Sequence, residues 1–233
     1  MKNNAFTLAE VLITLGIVGV VAVMTIPTVI KNIQHKTLES QFKKSYSQLS
    51  QVIEQLRMEY GTLSSSEYSV FNEFIESKYK KLKTVAAYDN AYVNSRKTYS
   101  NSIAGQGIRV DCFGPAAWHS KRFISVDGSF IATCTNPSAG MRISLDTNGY
   151  KGPNKFGYDI FFFQLRNMKL NYISSSSRNC VEADNCQNTT LVNEVSTCLR
   201  NSTNLTNGLS CARYAITNTC PDDSSKKYWE CLP

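Results

Sequence analysis

Glu10 is the one carboxylate beside an otherwise charge-free apolar run, Val11–Ile30, with Phe6-Thr7-Leu8-Ala9 before it. The run is about 20 residues long, and at a helical rise of roughly 1.5 Å it spans the ~30 Å hydrocarbon core of a bilayer. An acid near mid-bilayer costs on the order of a few kcal/mol unless something pairs with it. Glu10 therefore needs a partner. A second set is the cysteines: Cys112, Cys134, Cys180, Cys186, Cys198, Cys211, Cys220 and Cys231 all lie beyond the apolar run. An even count in a translocated domain reads as a disulfide framework. A zinc site is the weaker reading, because no Cys-x-x-Cys pair exists and His35 and His119 lack partners at ligand spacing. Eight cysteines allow roughly a hundred connectivities. Local spacing favours Cys112–Cys134 across strands and Cys180–Cys186 around a short acidic loop.

A third set lies in the Gly- and Pro-rich stretch 146–159. Asp146, Asn148 and Asp159 could converge as oxygen ligands for Ca²⁺, a hard cation that takes 6–8 such ligands at roughly 2.3–2.6 Å. Gly149, Gly152 and Gly157 would let the chain curl, and Pro153 would stiffen it. The spacing and final Glu of an EF-hand are absent. The same residues equally suit a metal-free turn, with Asp and Asn side chains bonding nearby backbone N–H groups.

Catalytic patterns are not legible. Two histidines give no Ser-His-Asp or Cys-His arrangement, and there is no glycine-rich phosphate loop. An enzyme is not expected. The net charge of +7 is mild for 233 residues. Lys78-Tyr79-Lys80-Lys81-Leu82-Lys83, Arg96-Lys97 and Lys121-Arg122 could meet DNA phosphates, with Tyr79 stacking on a base. Runs of this kind are more often solvated faces. The sequons at Asn188, Asn201 and Asn204 fall in a Ser/Thr/Asn-rich tail and are read as accidental.

The opening MKNNAFTLAEVLITLGIVGVVAVMTIP resembles the N-terminal segment of type IV prepilins and the related pseudopilins of type II secretion and competence systems. The resemblance implies a leader, residues 1–5, cut by a prepilin peptidase between Ala5 and Phe6, followed by N-methylation of Phe6. Ala5 stands where the family usually has Gly, and is itself small. Glu10 matches the family's acidic position and would pair with the Phe6 amine during assembly. Gly19 and Pro27 fall where pilins often carry a helix-loosening Gly and a kinking Pro. Two other readings of the segment are an ordinary secretory signal cut after Val20-Val21-Ala22 and an uncleaved anchor. Glu10 at the head of the apolar core argues against the first. Lysine counts do not settle orientation, since Lys31, Lys36, Lys43 and Lys44 outnumber Lys2.

The elements that would position these groups follow from periodicity. After Pro27, Leu38, Phe42, Tyr46, Leu49, Ile53, Leu56 and Tyr60 recur every three or four residues, one stripe of a helix that Gly61 ends. Ser64–Glu67 opens a shorter amphipathic stretch with Val70, Phe71, Phe74, Ile75 and Tyr79 inside. Residues 84–106 read as loop. Strands are expected at Arg122–Val126, Ser129–Thr133, Arg142–Leu145 and Tyr158–Leu165, the first two joined by the hairpin signal Asp127-Gly128. The expected fold is α+β: a long N-terminal helix packed on a small antiparallel sheet. The segments are the leader 1–5, a transmembrane and assembly helix 6–30, its amphipathic half 31–61, a globular domain 62–170 and a Cys-rich region 171–233. In that region cross-links would substitute for burial.

The resemblance further implies a structural subunit, pilin or pseudopilin, of a type IV pilus or of a type II secretion or competence filament. Its partners would be the prepilin peptidase, other subunits through the N-terminal helix, an inner-membrane assembly platform and the bilayer. It would sit as a single-pass protein of the bacterial inner membrane, with the C-terminal domain outside the cytoplasm, before joining a surface or periplasm-spanning filament. The alternative is a minor or tip subunit whose exposed domain grips DNA, a surface or an exported protein.

Overall fold

A computed structural model describes residues 7–64, 67–85, 89–102, 104, 112–114, 118–136, 140–173 and 198–233. The expected pair Cys180–Cys186 and the leader lie outside these residues. The chain divides into two units, Met1–Thr37 and Leu38–Pro233. One helix, α1 (Leu8–Tyr60), runs through both.

In the second unit α1 is amphipathic, and Leu38, Phe42, Ser45, Leu49, Val52, Ile53 and Leu56 are buried along one stripe. Gly61 ends the helix at φ +67°, its N–H returning to the Arg57 carbonyl at 2.9 Å. The αL conformation explains the glycine. Ser64 N–H and hydroxyl donate to Glu67 (2.7 and 2.9 Å), and α2 (Tyr68–Lys78) follows, burying Phe71, Phe74 and Ile75.

The sheet has six strands in sequential antiparallel order: β1 (Lys81–Thr84), β2 (Trp118–Ser125), β3 (Phe130–Asn136), β4 (Gly140–Asp146), β5 (Ile160–Arg166) and β6 (Lys169–Tyr172). Four match the expected strands within a few residues; β1 and β6, the short edges, were not legible. The stretch read as loop contains α3 (Asn90–Ser95), capped where Asp89 accepts the Tyr92 N–H at 3.1 Å. A six-residue helix is too short to show a period.

Both faces of the sheet are buried. Side chains alternate across a strand, and β5 divides accordingly. Phe161, Phe163 and Leu165 join the core cluster that contains the α1 stripe. Ile160 and Phe162 join a second cluster with Tyr92, Phe113, Phe130, Cys112 and Cys134. That is why the strand reads Ile-Phe-Phe-Phe, with no polar alternation. On the α1 side, the Phe42 ring lies 4.4 Å from Phe161 and 5.5 Å from Trp229.

The last third is not held by cross-links alone. Helix α4 (Cys211–Thr217) and a 3-10 turn (Tyr228–Glu230) place Cys211, Ala212, Ala215, Tyr228, Trp229 and Leu232 in the α1-side core. Burial and disulfides act together there. The bonds are Cys112–Cys134, the pair suggested by spacing, Cys198–Cys211 and Cys220–Cys231; no described cysteine is free. Gly157 explains how α4 approaches so closely. At φ +77°, a Cβ there would stand 2.8 Å from Cys211 Sγ and from the Tyr228 hydroxyl.

Two measurements check this packing. Phe42→Ala removes a fully buried ring and should cost about 3–5 kcal/mol in denaturant unfolding of the detergent-solubilised chain. Leu82→Ala, on exposed β1, should change it by less than about 0.5 kcal/mol. Alkylation without reduction should label none of Cys112, Cys134, Cys198, Cys211, Cys220 and Cys231; labelling of any of them contradicts the assigned bonds.

Candidate functional site

Three groups of residues carry the candidate chemistry, and they lie in different places. The first is the start of α1. Thr7 precedes the helix, and its N–H and hydroxyl both donate to Glu10 Oε2 at 2.8 Å. The Glu10 N–H donates back to Thr7 Oγ1 at 3.3 Å. This reciprocal pair is a capping box, in which two of the orphan N–H groups of a helix start are satisfied. The signal was present in the sequence as Thr7-x-x-Glu10, and it gives Glu10 a partner within its own chain. Ala5 and Phe6 lie outside the described residues.

Downstream of the box, Val11, Leu12, Ile13, Leu15, Ile17, Val18, Val20 and Val21 are exposed, as are Met24 and Ile26. The hydroxyls of Thr14 and Thr25 donate to the carbonyls of Val11 and Val21, both at 2.9 Å. A helix that satisfies its own polar groups and turns apolar side chains outward suits lipid or another apolar helix. It is the one candidate membrane span among the described residues. Pro27 stands inside α1, and no side chain approaches within 4 Å of where a Cβ at Gly19 would be.

The second group is the loop between β4 and β5. Asp146 and Asp159 are both fully buried. Asp146 accepts from the Tyr92 hydroxyl (2.7 Å) and from the N–H groups of Asn148 (3.1 Å) and Gly149 (2.8 Å). Asp159 accepts from the N–H groups of Asn154 (2.8 Å) and Lys155 (2.7 Å). The Asn148 amide, oriented to satisfy both its atoms, donates to Asp146 at 3.1 Å and to the Lys151 carbonyl at 2.5 Å. The loop thus folds around its two acids by donating to them, the geometry of an Asx-type turn. Burial raises the pKa of both: Asp146 is pushed well above the carboxylate range, with Asp159 repelling its charge, and Asp159 is pushed up to about 6.

The third group, the basic residues, is divided between buried and exposed positions. Arg96 and Arg122 are buried; Arg122 donates to the carbonyls of Cys112 (2.9 Å) and Gly114 (3.1 Å), anchoring the disulfide-bonded loop. Tyr79 packs on Phe123, ring centroids 5.6 Å apart, so it is not displayed for base stacking. Lys81 and Lys121 converge on Glu76 at 2.9 and 3.8 Å.

The loop yields two expected outcomes. Excess Ca²⁺ should leave the thermal midpoint where a chelator leaves it, because every carboxylate oxygen of Asp146 and Asp159 already has a donor; a rise of several degrees would put the ion there. The pH dependence follows from the raised Asp159 value. Below about pH 4 the acid is protonated folded or unfolded. Between there and about pH 6 only the unfolded chain ionises, so stability falls as pH rises through that window. Asp159→Asn should flatten the slope; an unaltered slope would assign it to other groups.

Comparison with known proteins adds one match. The family model described as the prokaryotic N-terminal methylation motif matches residues 1–26. No curated protein and no solved structure matches the chain. The matched segment holds Thr7, Glu10, Gly19 and the exposed apolar residues of α1, and ends one residue before Pro27. It is the signal of type IV pilins and pseudopilins, and here it heads a chain with a long N-terminal helix followed by an antiparallel sheet.

Proposed function

We propose that the chain is a structural subunit, pilin or pseudopilin, of a type IV pilus or of a type II secretion or competence filament. It waits as a single-pass protein of the bacterial inner membrane and then stacks through α1. The observation that carries this reading is the coincidence, in residues 1–26, of the methylation motif with an apolar helical surface that nothing in the described structure covers. In the bilayer that surface meets lipid. In a filament it meets the same surface of other subunits, a transfer between two apolar environments that costs little. The motif implies a prepilin peptidase as processing partner; an assembly platform is the further partner this reading needs. Among the described residues no group of three or more His, Cys, Asp or Glu could hold a metal ion.

The capping box refines the part played by Glu10. Before assembly its carboxylate is held by Thr7. Cleavage after Ala5 would create a cationic amine on Phe6, one residue before Thr7. Glu10 would then pair with the amine of a neighbouring subunit, exchanging neutral donors for a charged one, which makes a stronger hydrogen bond.

Processing is tested by mass spectrometry of the mature N-terminus, expected to be N-methyl-Phe6; an intact Met1 or a terminus at Val23 overturns the reading. Glu10→Val and Glu10→Gln separate the two roles of the acid. Gln retains the capping geometry but not the charge. Both variants should insert in the membrane yet be lost from sheared filaments. If Gln assembles like the native chain, the acid acts only as a cap.

A further inference from the structure

β1 stands at one end of the six-strand order, and all four of its residues, Lys81, Leu82, Lys83 and Thr84, are exposed. Its inner side is occupied. The Val126 N–H donates to the Lys80 carbonyl at 2.9 Å, and the Val85 N–H donates to the Arg122 carbonyl at 2.8 Å. Backbone groups of a strand point alternately to its two sides, so the N–H and C=O of Lys81 and Thr84 face outward. We propose that this edge binds an extended acidic segment of another protein, which joins the sheet as a further strand beside β1. The proposal goes beyond the filament reading and does not depend on how the chain assembles.

Three features carry it. The first is charge. Lys80, Lys81 and Lys83 are all exposed within four residues of chain. Lys81 is tied to Glu76 at 2.9 Å, but no ion pair among the described residues engages Lys80 or Lys83. The edge therefore carries uncompensated positive charge. A second copy pairing through the same strand would set lysines against lysines, and like charges directly opposite destabilise a strand pair. A strand with carboxylates at alternate positions gains where the second copy loses.

The second is the backbone. The outward groups of Lys81 and Thr84 offer main-chain hydrogen bonds to an extended chain, the source of affinity when a peptide adds to a sheet edge. A nucleic acid could meet the same lysines, but its backbone has no N–H to complete a β ladder. The template is also fixed in advance: β1 is paired with β2, and through β2 with the rest of the sheet. The cost of ordering falls on the incoming segment alone.

The third is an apolar foothold. The register with β2 shifts between Lys81 and Lys83, which leaves Leu82 without a partner residue. Leu82 is 70% exposed, and Val126, bonded to Lys80 through its N–H, is 52% exposed. Apolar side chains between the carboxylates of the incoming strand would cover them.

The test uses the detergent-solubilised full-length chain and a labelled peptide of about eight residues, the length of an ordinary strand, with Glu and Val alternating. Binding is read by fluorescence anisotropy, and pairing by slowed amide exchange at Thr84. Three comparisons are a Lys/Val peptide, the Glu/Val peptide N-methylated at every backbone nitrogen, and a labelled oligonucleotide. The Glu/Val peptide should bind at least about tenfold tighter than each of the three, a difference of ~1.4 kcal/mol. Lys83→Glu should weaken it about tenfold and Leu82→Ala several-fold, while Lys169→Ala, on the opposite edge strand β6, should not. Absence of binding would mean that the lysines only guard the edge against pairing, and overturns the proposal. Equal binding of the N-methylated peptide or of the oligonucleotide would reduce the contact to charge, and overturns it as well, as does an equal loss in Lys169→Ala or unchanged exchange at Thr84. None of these outcomes bears on the N-terminal processing that tests the filament reading.

Discussion

A sheet apolar on both faces has to be covered on both faces, and this requirement organises the domain. Phe161, Phe163, Ile143 and Leu145 on one side and Phe130, Ala132 and Phe162 on the other leave no side for water. The amphipathic half of α1 covers the first side. The second is covered by irregular chain, α3 and the segments at Phe113, Phe156 and Leu209, which lacks the regular ladder of a helix. Buried irregular backbone must find its hydrogen bonds elsewhere. Arg122 supplies two carbonyls of the 112–114 segment, Ser144 accepts the Cys112 N–H at 2.9 Å, and the Cys112–Cys134 bond ties the segment to β3. The buried polar groups on that side are consequences of covering a sheet mostly with irregular chain, α3 being only six residues long.

The same need explains why Asp146 and Asp159 are buried. They stand at the end of β4 and just before β5, where the hairpin must turn beneath Tyr92. Their carboxylates gather the N–H groups that the turn would otherwise leave unpaired. Charge is held back by burial, and the loop gains a fixed shape.

How much of this was legible in the residues depends on period and length. The apolar run, the α1 stripe and the Gly61 stop were readable because each spans several turns or has a single steric cause. The central strands were readable from Asp127-Gly128 and from the Ile-Phe-Phe-Phe run. The edges β1 and β6 carry four residues each, too few for alternation, and Lys81, Lys83 and Lys169 look like any solvated surface. The basic residues misled for a related reason: Arg96 and Arg122 sit in charged dipeptides, yet both are buried, Arg122 donating to the irregular 112–114 segment and Arg96 to the Val93 carbonyl of α3. At the N-terminal site the methylation motif was visible in full. The capping bond between Thr7 and Glu10 is equally present there as Thr-x-x-Glu, a helix-start signal that lies inside the motif.

The contact between Phe42 and Trp229 joins an early segment of the chain to a very late one. Contacts so distant in sequence make folding slow, because most of the chain must be closed into a loop before they are rewarded. During synthesis the α1 stripe is made long before the residues that seal it. Leu38, Phe42 and Leu49 would stay open to wrong partners throughout that interval. The newborn domain therefore completes its α1-side core only at the end of synthesis, once Trp229 and Leu232 have been made.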